Sequence, residues 1–310
     1  MLGINKMGYV VTVVIPSYHS EKTIEKTLEA LSSQVKEIGS EVIVVNSSED
    51  LTPTIIAEKF PWVKCIQLPK KTLAGAARNI GARMARGKFV AFLDADCLVE
   101  RNWIESMLEY FSAEYCGIGG PIDNANAHSL ISLAGHILEF SEFFPTRRIS
   151  SVAHVPSGNI MLLKSTFKNS GGYEEGFAYA QEDRYFSWKL TKKTHKPFLF
   201  HPRIKVSHIH RTRFREYITH QRHIGRGGAE ILKITDLKGS RLINNNLLIL
   251  FLSPLMAFRK FSLSLFRALK WKPLAIIKRP LVIPLSGVGM FFWMLGFAGQ
   301  ANRNGKDVNP

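Results

Sequence analysis

Cysteine is scarce in this chain. Cys65, Cys97 and Cys116 are the only three among 310 residues, they form no C-x-x-C, and an odd number cannot all pair. That excludes a disulfide framework and a cysteine-rich zinc site, and it fits a reducing compartment. Acidic residues are missing altogether from Leu237 to Lys306, a stretch that carries eleven Lys or Arg. The opening, MLGINKMGYVVTVVIP, lacks the apolar core and small-residue cleavage pattern of a signal peptide. It reads as a first strand, and the N-terminal domain is expected to stay in the cytosol. Two phosphate-binding signatures fail as well. Gly81 to Lys88 has five residues between its glycines where a P-loop has four, and it joins a helix to a strand, the wrong order. Gly117 to Gly120 lacks the third spaced glycine of a dinucleotide fingerprint. There is no serine nucleophile elbow and no internal repeat.

What is present is a globular composition, 45% hydrophobic and 21% charged, with a formal charge of +16. A surplus of that size points to an anionic partner. Only +6 of it falls on residues 1–236, and the rest accompanies apolar runs in the C-terminal quarter. A nucleic-acid binder would interleave Lys and Arg with exposed aromatics on its folded domain, so nucleic acid is not the expected partner. The shift in composition near 236 predicts two domains, 1–236 and 237–310.

The first hundred residues alternate between two periodicities. Strands are predicted at Tyr9 to Ile15, Glu41 to Val45, Val63 to Leu68 and Lys88 to Leu93. Between them lie a helix capped by Ser20 and carrying Ile24, Leu28, Leu31 and Val35, a short helix at Thr52 to Lys59, and an Ala-rich helix from Ala74 to Arg86 stopped by Gly87. Asn102 to Phe111 is a further helix. This alternation predicts an α/β fold with a mostly parallel sheet and helices on both faces, whose ligands sit beyond the C-terminal ends of the strands.

Those ends are polar. Strand four runs into Asp94-Ala95-Asp96, and in an extended backbone residues i and i+2 point the same way, so both carboxylates can face one divalent cation. Spacing alone is weak evidence among 25 acidic residues; the position after an apolar strand singles this pair out. Glu182-Asp183 opens a predicted helix at Tyr185 to Leu190. Its acidic pair either complements the helix dipole or supplies a general base. Arg78 and Asn79, near a helix start and shortly after Lys70 and Lys71, suit a diphosphate. His208 and His210 straddle Ile209 and are predicted to project to one side of a strand, where one can ligate a metal or phosphate.

Taken together, VVIPSYHSEKTIEKTLEALSSQ, EVIVVNSSED, GAARNIGARMARGKFVAFLDADC, VPSGNIMLLKSTFKNSGGYEEGF, Glu182-Asp183 and HIHRTRFREYITHQRHIGRG resemble the inverting family 2 glycosyltransferases of the GT-A fold, over about residues 9 to 230. The resemblance implies transfer of a sugar from a nucleotide-diphospho-sugar to a hydroxyl, with Mg2+ or Mn2+. It implies that Pro16, Ser17, Tyr18, Glu21, Asn46, Asp50, Gly75, Arg78, Asn79 and Asp94 bind the nucleotide. Asp94, Asp96 and His208 would hold the metal, and Asp183 would be the catalytic base. Glu182, Gly158 and Asn159 would lie on the acceptor side or support it. Asn46 stands where the family usually has Asp, so the donor base stays open between uridine, the first expectation, and guanosine. Gln221 to Arg226 occupies the place of the processive synthases' Q-x-x-R-W but has no Trp, which points to adding one sugar. A sugar-phosphate nucleotidyltransferase, the alternative enzyme, would want a Gly-rich basic loop after strand one, where this chain has Pro16-Ser17-Tyr18.

The basic tail holds two apolar stretches, Leu247 to Phe258 and the uncharged 23-residue run Pro280 to Asn302. The second is long enough to cross a bilayer. Between them an amphipathic helix is predicted, with Phe258, Phe261, Leu265 and Leu269 on one face and Lys260, Arg267 and Lys270 on another, a membrane-surface pattern unless that helix packs on the catalytic domain. If both stretches spanned, the loop 259–279 with its seven Lys or Arg would face the cytosol and strand the first domain across the membrane from cytosolic nucleotide sugars. Leu247 to Phe258 is therefore expected to lie in the interface or re-enter, and 280–302 to span once or dip back. The expected site of action is the cytoplasmic face of the membrane, on a lipid-linked or cell-envelope acceptor.

Overall fold

The computed structural model describes residues 9–302 apart from 146, 178, 244 and 245. The first eight residues of the opening segment and the basic end from 303 lie outside the described residues. In chain order the elements begin with β1 (Val11–Ser17), α1 (Ile24–Ile38), β2 (Glu41–Asn46), α2 (Thr52–Lys59), β3 (Lys64–Gln67) and α3 (Ala74–Met84). Next come β4 (Phe89–Leu93), β5 (Cys97–Val99), α4 (Trp103–Tyr110), β6 (Gly117–Gly119), β7 (Ile122–Asn124) and α5 (Leu130–Phe140). β8 (Ser150–Val152), β9 (Asn159–Leu163), α6 (Lys164–Ser170), α7 (Glu182–Thr194), β10 (Phe198–Phe200) and β11 (Val206–His208) follow. Four helices close the chain: α8 (Phe214–Ile234), α9 (Asn246–Trp271), α10 (Pro273–Ile277) and α11 (Val282–Ala301).

Packing divides the chain into two compact units. One comprises residues 1–122, 147–175 and 186–208; the other comprises 123–146, 176–185 and 209–310. Residues 237–302 thus group with α5 and α8 rather than standing by themselves.

The first unit is built on an eight-stranded sheet of order β3-β2-β1-β4-β9-β6-β10-β8. β3, β2, β1 and β4 run parallel. β9 enters antiparallel between β4 and β6, and β8 pairs antiparallel with β10. The sheet is therefore mixed beyond β4. Strands covered on both faces read as unbroken apolar runs, and Phe89 to Leu93 is buried throughout. α1 buries Ile24, Leu28, Leu31 and Val35 and ends at Gly39 in the left-handed region, but Ser20 makes no side-chain cap. α3 stops at Met84, short of Gly87. Gly87 serves a different need: a Cβ there would lie 2.6 Å from the Thr12 amide nitrogen. Gly81 likewise lets α3 press onto β1, since its Cβ would fall 2.3 Å from Val14 Cγ1.

The second unit is a helical cluster around Leu133, Ile137, Tyr217, Ile224, Trp293 and Phe297. α11 runs along α8, and glycines set the spacing. A Cβ at Gly225 would meet the Trp293 carbonyl at 2.0 Å, and one at Gly296 would meet the Arg222 carbonyl at 2.1 Å. Tyr217 Oη donates to the Leu285 carbonyl at 3.2 Å, and Lys233 Nζ donates to that of Gln300 at 2.8 Å. α11 is, among the described residues, the one helix long and apolar enough to cross a membrane by length and composition.

The tail departs from its sequence reading in two ways. The short apolar stretch and the amphipathic segment are one helix, α9, with Pro254 inside it, and the expected loop 259–279 is helical over most of its length. The faces also differ. Phe261 and Leu265 pack on the core while Phe258 and Leu269 face outward. Lys260 turns inward to the Leu138 carbonyl, and Arg267 pairs with Glu142 at 3.0 Å.

One internal carboxylate ties β1, β2 and the start of β4 together. Glu41 Oε2 accepts from Thr12 Oγ1 at 2.7 Å and from the Arg86 amide at 2.8 Å, while Oε1 accepts from Arg86 Nε at 2.8 Å. Burial alone would raise its pKa, yet these bonds outweigh it and hold the carboxyl below its ordinary value. Such a group contributes stability that is present above its unfolded pKa and fades as pH falls through the lower folded one. Glu41→Gln is expected to cost about 1–3 kcal/mol at neutral pH in urea denaturation. It should also flatten the loss of stability below about pH 4.5; an unchanged acid limb would remove this role from Glu41.

Candidate active site

The ends of β1, β2 and β3 are woven by side chains. Ser17 stands beside Asn46 in the parallel register, and its hydroxyl donates to Asn46 Oδ1 at 2.9 Å. Ser48 Oγ donates to the same oxygen at 3.1 Å. Asn46 Nδ2 in turn donates to the Ser48 carbonyl at 2.8 Å and to Gln67 Oε1 at 2.9 Å. The Asn46 amide, expected to read the base, is here engaged at all four of its hydrogen-bonding positions within the protein. An aspartate could not make the two donations, and that accounts for the asparagine. Gln67, its partner, was not visible from motif spacing.

Asp50 is a second hub. Its carboxylate accepts from Ser48 Oγ at 2.9 Å, Thr52 Oγ1 at 2.8 Å and the Glu21 amide at 3.1 Å. Burial opposes ionisation there, but these bonds prevail and keep Asp50 below the usual carboxylate range. Glu21 Oε2 returns a contact by accepting from the Leu51 amide at 3.3 Å. The pair therefore shapes the loops after β1 and β2. Pro16 and Ser17 complete β1. Tyr18 is the exposed member of the opening, with Lys71 Nζ 4.9 Å from its ring centroid.

Asp94 and Asp96 are neighbours for a reason other than the one the spacing suggested. β4 ends at Leu93, and residues 94–97 form a turn closed by the Cys97 amide on the Asp94 carbonyl at 3.1 Å. The two carboxylates take different partners. Asp94 Oδ1 accepts from Arg78 Nη2 at 2.7 Å, with Arg78 buried and Asp94 34% exposed. Asp96 Oδ1 lies 3.3 Å from His208 Nε2. The antiparallel pairing of β5 with β11 sets Cys97 opposite His208. As a result, donor atoms of Asp96, Cys97 and His208 all lie within 4.8 Å of one another. Among the described residues this group can hold a cation through Asp96 and His208, with the Cys97 thiol beside them and Asp94 adjoining. Loss of water around the inner face of Asp94 and the neighbouring Asp96 carboxylate push the Asp94 carboxyl above its ordinary value, the Arg78 guanidinium pulling the other way. Burial and the adjacent carboxylates also raise the Cys97 thiol well above its ordinary value, which keeps it neutral here.

β9 supplies the other wall. Its register sets Asn159 opposite Leu93 and so brings Gly158 to Asp94, where a Cβ would lie 2.5 Å from Asp94 Oδ2. Asn159 is buried and internal: its oxygen accepts from Trp103 Nε1 at 2.8 Å, and its amide donates to the carbonyls of Pro121 and Ile204. Asn79, expected at a diphosphate, is engaged with the segment after α6. Its Nδ2 donates to the Tyr173 carbonyl and to Glu175 Oε1, both at 2.9 Å, and its Oδ1 accepts from the Tyr173 amide at 2.8 Å. Gly172 sits at φ +69° with room for no Cβ beside Asn79 Oδ1. Tyr173, held in this way, faces Arg78 with its ring 5.3 Å from the guanidinium carbon and donates to Ser157 Oγ at 2.7 Å. Gly75 keeps α3 close to the same tyrosine.

In the second unit, Glu182 and Asp183 form the first turn of α7, and Asp183 Oδ1 accepts from the Arg184 amide at 2.7 Å. The residue before them, Gln181, has φ +99°, a conformation side chains rarely adopt. Gly227 of α8 accommodates the segment, since a Cβ there would come within 1.5 Å of the Ala180 carbonyl. Arg226 lies over the Tyr179 ring at 5.5 Å. The stretch Gln221 to Arg226 thus seats the chain that leads into Asp183. His210 does not share a strand face with His208. β11 ends at His208, and His210 Nε2 lies 3.2 Å from His136 Nδ1.

Comparison with known proteins adds the following. A model of the family described as Glycosyl transferase family 2 matches residues 12–171. The chain is 26% identical over 231 residues to the pre-mycofactocin glycosyltransferase of Mycobacterium tuberculosis, covering 71% of this chain and 47% of that one. It is 34% identical over 134 residues to the succinoglycan biosynthesis protein ExoO of Rhizobium meliloti, covering 43% and 37% respectively. The chain therefore spans less than half the length of these relatives. Among solved structures it resembles S. aureus TarS 1–349 in complex with UDP-GlcNAc, with TM-score 0.55, 16% identity and coverage of 93% and 90%. It also resembles the mannosyltransferase PcManGT of Pyrobaculum calidifontis in complex with GDP-Man and Mn2+, with TM-score 0.55, 15% identity and coverage of 90% and 73%. These likenesses bear out the α/β, GT-A type of fold.

Asn79→Leu keeps the size of the side chain and removes its amide. It is expected to lower stability by about 1–3 kcal/mol and to speed hydrogen exchange at the Tyr173 amide. Undiminished protection of that amide would show that Asn79 does not hold the loop.

Proposed function

The chain belongs to glycosyl transferase family 2, and on that premise we propose that it moves one sugar from a nucleotide-diphospho-sugar to a hydroxyl acceptor. The observation that carries the reading is the grouping of Asp96, Cys97 and His208 next to the Arg78-paired Asp94. A carboxylate and an imidazole are donors that Mn2+ or Mg2+ accepts, so the residues present fit a divalent cation. Asp96 and His208 would hold it. When bound, such an ion supplies Lewis-acid compensation for the charge on the departing diphosphate. The Mn2+ bound by PcManGT supports this choice.

Asp94 and Arg78 keep a fixed, paired charge at the edge of the donor site, and Lys70 and Lys71 add cationic side chains shortly before α3. Asp183 acts as general base. It takes the proton of the acceptor hydroxyl as that oxygen bonds to the anomeric carbon, while the bond from this carbon to the diphosphate oxygen breaks on the opposite face. The products are the inverted glycoside and the nucleoside diphosphate. UDP- and GDP-sugars are both candidate donors, as in the TarS and PcManGT complexes. The absence of Trp from the stretch Gln221 to Arg226 supports a single addition rather than polymerisation. The acid-free basic tail supports work at the cytoplasmic face of a membrane, on a lipid-linked or envelope glycan.

A panel of UDP- and GDP-sugars, assayed with Mn2+, Mg2+ or a chelator, tests the reading, and the anomeric configuration of the product tests inversion. Asp183→Asn is expected to lower turnover by about 10²–10⁴-fold, and chelation to abolish it. Full activity of Asp183→Asn or Asp94→Ala would overturn the assignment. Gly158→Ala pushes a methyl against Asp94 and should reduce turnover by about tenfold or more with little change in melting temperature. Activity equal to the parent would detach Gly158 from the site.

A further inference from the structure

α9 is amphipathic in the inverted sense for a helix facing water. Phe251, Phe258 and Phe266 are 76%, 68% and 63% exposed, and Leu255 and Leu269 continue the same outward stripe. The inward side holds Lys260 and Arg267, satisfied by the Leu138 carbonyl and by Glu142. α11 repeats the pattern, with Leu281, Val288, Phe291 and Leu295 outward at helical spacing, and Leu274 and Ile277 of α10 are exposed as well. Exposed apolar stripes of this kind mark surface that is covered in use. Its charge identifies the cover. Arg259, Lys270 and Lys278 are exposed beside the stripes, and no acidic residue occurs from 237 to 306. Exposed apolar side chains with cations on the same helices complement an anionic lipid surface.

The packing of α11 decides its orientation. It is joined to α8 along its length through Gly225, Gly289 and Gly296, with hydrogen bonds near both ends. α8 carries Arg215, Glu216, Arg222, Arg226, Glu230 and Lys233. A transmembrane α11 would draw these into hydrocarbon, where charged side chains are strongly disfavoured. We infer that the second unit lies flat on an anionic bilayer, the outward stripes of α9 and α11 entering the headgroup–acyl boundary and α11 running in the membrane plane. This deepens the membrane location proposed above and does not depend on the sugar-transfer reading.

The protein is mixed with phosphatidylcholine vesicles with and without phosphatidylglycerol and sedimented. Binding should be at least about tenfold tighter to the anionic vesicles and should weaken with added salt. The combined substitution Phe251→Ser, Phe258→Ser and Phe266→Ser should lower it by at least about tenfold with an unchanged circular dichroism spectrum. Undiminished binding of that variant, or no binding by the parent, overturns the proposal. So does a detergent-free dimer that the substitutions dissociate, since a second copy would then cover the face. Orientation is read with Lys278→Cys and Asn302→Cys, made singly in a Cys65→Ser background. In inverted membrane vesicles an impermeant maleimide should label both positions; labelling of one of the two only after permeabilisation would show that α11 spans. Vesicle binding without sugar transfer refutes the enzymatic reading alone, and transfer without vesicle binding refutes this one alone.

Discussion

A buried guanidinium organises the first unit. Arg78 reaches from α3 to Asp94 at the end of β4, and Tyr173 lies against it from the loop after α6. An arginine out of water is tolerable only when a fixed anion answers it, and removing either partner leaves an uncompensated charge. Much of the neighbouring structure serves that pairing. Gly158 clears space for the carboxylate, Asn79 holds the backbone of Tyr173, and Ser157 accepts the tyrosine hydroxyl. Residues that a motif assigns to a ligand are here committed to one another, and what they offer a ligand is a prearranged field.

The cation-binding group depends on strand pairing instead. Asp96 and Cys97 follow β4, while His208 comes more than a hundred residues later. They meet because β5 and β11 pair antiparallel with Cys97 opposite His208. The ends of β1, β2 and β3 show the same economy: Asn46 and Asp50 direct their hydrogen bonds into holding loops, while Tyr18 stays exposed. Helix packing dominates the second unit, where glycines on α8 admit α11 on one side and the segment before Asp183 on another. One helix thus fixes the attitude of the tail and seats the chain that carries the proposed base.

Repeating patterns were legible in the sequence. The strands and helices of the first hundred residues fall within a few positions of their expected places, because buried parallel strands must be apolar throughout and α1 must bury one face. Features that hinge on a single contact are not written in the pattern. Gly87, at helix-stop spacing, is a site of close backbone approach, and the stripe from Phe258 to Leu269 is divided between core and surface. The aspartate pair is brought together by a turn at residues 94–97 and not by an extended strand.

The class of fold, the family, the polar strand ends and the separation of the positive charge from the acidic residues are all written in local pattern and composition, which act on the chain before it folds. That Asp94 answers Arg78, that Cys97 lies beside Asp96 and His208, that Asn46 and Asn79 bond internally, and which sides of α9 and α11 face outward came from long-range packing. Each of those depends on which distant segment arrives alongside, and a buried donor or charge takes whatever partner packing brings within about 3 Å.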